Sequence, residues 1–144
     1  MITITPISTN PTTEGSEEML VSLTEGLCQA YSTSATIQPS YVVNFTPGTA
    51  TIEQVTVGTT TTYNAIVPIT ARGSITYLPK GNCPCNSVTK LFAETFNVGF
   101  TGLTTAPTAF TITTEMQTSG AANVKCCNRA YGYNINTAIL ITAS

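Results

Sequence analysis

The stretch SVTKLFAETFNVGF, residues 87–100, decides the fold class. Phe92, Phe96 and Phe100 recur four residues apart, a spacing that allows one face of a helix over 88–96. Leu91 and Val98 stand outside that series. Val88, Thr89, Thr95 and Val98 are β-branched, so a helix would cost each of them χ1 freedom that a pleated strand leaves intact. Gly99 then interrupts the segment where a helix would have to continue. The stretch reads as a strand, and it is the one place where a long helix competes.

Outward from it, the chain repeats the same grammar of short apolar runs cut by turn residues. SYVVNFT ends at Pro47-Gly48, and ATIEQVTV ends at Gly58. TTYNAIVPITA contains Pro68, which predicts an edge position or a bulge, and Gly73 opens a separate run, SITYLPKG. MLVSLTEGLCQAYS supplies one or two strands around Gly26. TAPTAFTITTEMQT alternates Phe110 and Ile112 against Thr111 and Thr113. In the closing AYGYNINTAILITAS, Ala138 to Ile141 read as a buried final strand. About eight to ten strands at this spacing predict an all-β, two-sheet β-sandwich of jelly-roll or immunoglobulin-like type.

Residues 1–18 differ from the rest. Ile2 and Ile4 alternate with Thr3 and Thr5 up to Pro6, and Ile7 precedes a polar tether holding Glu14, Glu17 and Glu18. This predicts an N-terminal arm and tether over 1–18 ahead of a single domain over 19–144. Ile2, Ile4 and Ile7 form the apolar side of an arm that could add a strand to a neighbouring subunit. The competing reading is an ordinary edge strand followed by a loop.

Composition narrows the function. The chain has 144 residues, enough for one domain with a core of its own. Charged residues make up 8%, against about 25% in typical domains. Thr occurs 30 times, so exposed strand faces are wetted by hydroxyls instead of charges. Such a surface suits packing against other subunits better than staying apart from them. The net charge is −2, and Arg72, Lys80, Lys90, Lys125 and Arg129 form no run, which argues against nucleic acid. No apolar stretch approaches the roughly 20 residues that span a membrane, and no signal peptide is visible, so synthesis in a cytoplasm is expected.

Catalytic chemistry finds little material. There is no His, Asp or Trp, which removes the ordinary Ser–His and Cys–His pairs and the commonest general base. Glu53, Glu94 and Glu115 fall in strand-like segments and are expected to face solvent. The reading is non-enzymatic, with no cofactor. Cys28, Cys83, Cys85, Cys126 and Cys127 admit three accounts. A thiolate metal site from Cys83, Cys85, Cys126 and Cys127 has the right count for zinc, but the pairs are closer in sequence than structural sites use. Disulfides at the same four positions suit loop ends and permit links between subunits. Buried free thiols are the third account, and Cys28 fits it best. Asn44-Phe45-Thr46 matches a glycosylation acceptor by chance spacing. Tyr131 and Tyr133 stand at i and i+2 and read either as sheet packing or as a stacking platform for a sugar ring.

Low charge, abundant Thr and a polar tether before the strands resemble small accessory virion proteins of tailed phages. The stretch from Cys83-Pro84-Cys85 through Lys90 to Phe96, with Cys126-Cys127 later, is similar to head-region proteins of crAss-like gut phages over residues 83–135. That resemblance implies a virion structural protein, a capsid-associated auxiliary, decoration or fibre-attachment subunit. Its partners would be copies of itself and capsid or fibre subunits. The chain also resembles the jelly-roll subunits of Bacillus-type spore appendages, which implies a self-assembling extracellular filament. Those subunits lock through a cysteine-bearing arm, and residues 1–18 hold no cysteine. A carbohydrate-binding module using Tyr131 and Tyr133 is the third reading.

Overall fold

The computed structural model describes residues 1–7, 15–27, 29–33, 37–81, 86–126 and 129–144; for Lys125, Cys126, Arg129 and Ala130 the backbone alone is described. Among the described residues there are eight strands and no helix: β1 (Ile2–Pro6), β2 (Ser16–Gly26), β3 (Ser40–Pro47), β4 (Thr51–Val57), β5 (Thr60–Tyr77), β6 (Val88–Leu103), β7 (Phe110–Cys126) and β8 (Arg129–Ala143). Every pairing is antiparallel. One sheet runs β1-β2-β8-β7. In the other, β5 is central, with β6 along one side and β3 and β4 end to end along the opposite side.

Both sheets bury one face in a common core. β5 contributes Ala65, Val67, Ile69, Ala71, Ile75 and Tyr77 at strict period 2. β2 adds Met19, Val21 and Leu23, and β8 adds Ile135, Ile139 and Ile141. In β6 the three phenylalanines are joined by Val98, while Leu91 points outward and is 77% exposed. The spacing of four is thus two steps of a strand, not one turn of a helix. Past Phe100 the parity changes, because Tyr63 and Ala65 of β5 stand opposite Leu103 and Phe100. That leaves one extra residue on β6, a bulge in which Gly102 takes φ +70° and donates its N–H to Asn64 Oδ1 at 3.2 Å. Without it Leu103 would face solvent.

Two expectations for β5 are corrected. Gly73 does not divide it; the strand runs from Thr60 to Tyr77 unbroken. Pro68 lies on the central strand, not an edge, and the interrupted neighbour explains why. β3 ends with Pro47 opposite Ile69, and β4 begins with Thr51 opposite Ile66. Pro68 therefore stands opposite the gap between the two short strands, where no ladder donor is required of it. Its carbonyl still accepts from Gly48 N–H at 2.7 Å.

At the N-terminus the described residues take the edge-strand form of the two readings. Residues 2–6 form an edge strand of the chain's own sheet, with Ile2 opposite Leu23 and Ile4 opposite Val21. The reason is parity: both isoleucines fall on the core-facing side and pack against the core, while Ile7 is exposed. Ser16, Glu17 and Glu18 belong to β2, so the boundary expected after residue 18 falls inside a strand.

Glu17 shares the core-facing parity of Met19 and sits at the margin of that face. Burial raises its pKa above the ordinary 4.5. The folded chain therefore holds this proton more tightly than the unfolded chain does. The stabilising contribution is complete below the ordinary value and is lost as pH rises through the folded one. Glu17→Gln is expected to raise the melting temperature slightly at pH 7, with the difference closing as pH falls to 4. Equal melting temperatures at pH 7 would remove this assignment.

Candidate assembly surface

The outer faces carry little charge. On the β3–β6 sheet the register sets Val42, Ser74 and Leu91 in one row, Asn44, Arg72 and Ala93 in the next, and Thr46, Thr70 and Thr95 in a third. Thr70 and Thr95 share a hydrogen bond at 3.3 Å, and Thr76 and Thr89 share one at 2.9 Å. These hydroxyl pairs satisfy each other across the strands, so the face is polar without being charged. On the outer face of the other sheet, Asn134 donates to Ser22 Oγ at 2.9 Å and Thr24 Oγ1 at 2.8 Å, and accepts from Asn136 at 2.6 Å. The amides form a knitted ladder along the β2–β8 seam.

Four strand edges bound the two sheets, and three of them are guarded. β1 is five residues long and ends in Pro6. The β3–β4 edge is broken at Pro47-Gly48. β6 turns two charges toward the inside, Lys90 and Glu94. Lys90 lies 3.6 Å from Glu25 of β2 and donates to the Gly26 carbonyl. Glu94 is not solvent-facing as expected: its side chain is 22% exposed and its Oε1 lies 2.6 Å from the Met1 amino group. Inward charges, prolines and short length are the usual means of keeping an edge from pairing with another chain.

β7 has none of these along its middle. It is 17 residues long and pairs β8 on one side. From Thr113 to Ala121 every residue is exposed on both faces of the strand, Met116 at 63%. The core-facing positions in this part are Thr114, Gln117, Ser119 and Ala121, too polar or small to draw the opposite sheet over them. Between Met116 and Val124 there is no charge and no proline. Glu115 is exposed, as Glu53 is, both as expected.

At one end of the molecule Tyr31, Tyr77, Tyr41 and Tyr133 form a ring cluster. Tyr31 stands edge-on to Tyr77 and Tyr133 at centroid distances of 6.1 and 6.3 Å. Tyr31 donates to the Gly132 carbonyl at 2.8 Å and Tyr77 to the Leu27 carbonyl at 3.1 Å. Burial pushes the Tyr31 and Tyr77 phenols up, Tyr31 with a smaller contribution from Tyr133. Tyr133 is buried and shares a hydrogen bond with Ser119 at 2.8 Å. Tyr131 instead lines a cleft of about 460 Å³ with Ala30, Tyr31, Lys80 and Asn123. The two tyrosines suggested as one stacking platform are therefore separated, one in the core and one at the surface.

Cys28, Cys83, Cys85 and Cys127 lie outside the described residues, and of Cys126 the backbone alone is described, at the end of β7. The disulfide and thiolate readings fall on these positions. Asn44 is on the outer face of β3 beside Arg72. Comparison with family models, with curated proteins and with solved structures finds no match.

Proposed function

We propose that the chain is a non-enzymatic structural subunit of a tailed-phage virion, a capsid-associated auxiliary, decoration or fibre-attachment protein, whose work is to pack against copies of itself and neighbouring virion subunits. Its two sheets are read as a β-sandwich presenting neutral, hydroxyl-covered faces. The observation that carries this reading is the open β7 edge, long and uncharged through its middle on a chain whose other edges are guarded. A monomeric life would select against such an edge. The low charge of both outer faces supports the same reading, because close-packed subunits need little electrostatic repulsion.

Negative-stain micrographs of the purified full chain in reducing buffer test it. Small closed oligomers or particles are the expected result. Open filaments would favour an extracellular filament subunit instead. Dispersed monomers at every concentration, with no binding to virion proteins, would overturn both.

A further inference from the structure

We infer that the β7 edge pairs with the β7 edge of a second copy, antiparallel about a two-fold axis at Gly120. The inference rests on the assembly reading above and names its partner and register. Three observations carry it.

The first is the edge itself, open and uncharged between Met116 and Val124, with both faces of its middle exposed. A strand in this state can extend the sheet using main-chain hydrogen bonds alone.

The second is the pleat. Met116, Thr118, Gly120 and Ala122 share the outer face with Ala138, Asn136, Asn134 and Gly132 of β8, and Gln117, Ser119 and Ala121 share the inner one. In a continuous sheet, residues opposite each other must face the same way. Between the register shifts at Thr114/Met116 and Ala122/Lys125 the alternation is unbroken, and there antiparallel self-pairing is limited to registers in which a residue, not a peptide bond, lies on the axis.

The third is charge. Within β7 there are two charged positions, Glu115 and Lys125. Among the permitted registers, the one centred on Gly120 sets position 115 of each copy opposite position 125 of the other. It also sets Met116 opposite Val124, Gln117 opposite Asn123 and Thr118 opposite Ala122. Counted along the sequence, this register brings positions of opposite sign to both ends of the paired segment, beyond the irregularities of β7, and the residue on the axis has no side chain. A shift by one step in either direction leaves both charges without a partner. A second copy fits this edge better than an unrelated acidic or basic peptide, because the edge holds one charge of each sign.

The test is sedimentation of the full chain over a range of concentrations, with reductant present so that thiols contribute nothing. Wild type is expected to show a monomer–dimer equilibrium or larger assemblies built on it. Gly120→Lys is the decisive variant. A Cβ at this glycine meets nothing within 4 Å, so the monomer should fold unchanged, which circular dichroism and the melting temperature will show. In the dimer it opposes two cations on the axis, and the dissociation constant should rise at least about tenfold. Glu115→Lys should also weaken pairing, and Glu115→Lys combined with Lys125→Glu should restore it. A folded Gly120→Lys chain that assembles like wild type overturns the β7 pairing while leaving assembly through another surface standing. A wild-type chain that stays monomeric throughout overturns the pairing and removes the support for the assembly reading together. Failure of the double charge exchange to restore affinity overturns the Gly120-centred register.

Discussion

Gly73→Ala is expected to be the most damaging single-methyl change in the chain, costing about 3 kcal/mol or leaving it unable to fold. A Cβ placed on Gly73 would overlap the Val42 carbonyl oxygen and fall 3.0 Å from Phe92 Cζ. The first neighbour is main chain. It can withdraw only if β3 peels away from β5, and β3 is paired to it from Ser40 to Pro47. The second neighbour is a core ring that covers the glycine from β6. The natural control is Gly99→Ala in β6, where a Cβ meets nothing within 4 Å. There the loss of unfolded-state freedom should leave stability unchanged or slightly higher. Urea denaturation of both variants measures the contrast. Equal stabilities would mean that β3 does not cross Gly73 so closely.

The second large effect is expected at Ile139→Ala, about 3 kcal/mol within the range of 2–5 for such truncations. Ile139 is fully buried on β8, opposite Met19 of β2 and Thr114 of β7. The surrounding strands are held by ladders on both sides and cannot close on the space left behind. Leu91→Ala removes a similar amount of hydrocarbon from the outer face of β6, where it is already in water. Its cost should be close to zero. The m-value should be unchanged in both, since neither alters the surface exposed on unfolding. A large loss at Leu91 with a small one at Ile139 would reverse the assignment of the faces.

The sequence announces its strands through β-branched residues and its turns through Pro-Gly and lone Gly, and those signals are local. The β class, the closing strand over Ala138 to Ile141 and the strand reading of residues 87–100 were therefore legible. What required the fold was set by pairings distant in the chain. Pro68 reads as an edge residue until β3 and β4 are seen to leave a gap opposite it. Gly73 reads as a break until Val42 is seen to need the space. Glu94 reads as solvent-facing until the register fixes its parity with Phe92 and Phe96. Ile2 and Ile4 carry the same alternation in an arm as in an edge strand, and only the partner, β2, distinguishes them.

The assembly surface was less legible still. Low charge and abundant Thr point to a packing surface without saying where it lies. β7 carries a sequence signal, the loss of apolar alternation after Ile112 together with a run free of charge and proline. That run reads as a loop or an inner strand as readily as an edge. Its meaning comes from the width of the sheets, which leaves the middle of β7 uncovered.

Amide hydrogen exchange, followed as protein concentration is raised, tests the assembly surface most directly. Main-chain amides of residues 116–124 should gain protection on assembly, in the alternate positions that a new antiparallel partner would cover. Those of β6, guarded by Lys90 and Glu94, should not change. Unaltered exchange along β7 in a sample that has assembled, or protection that appears along β6 instead, would contradict the account.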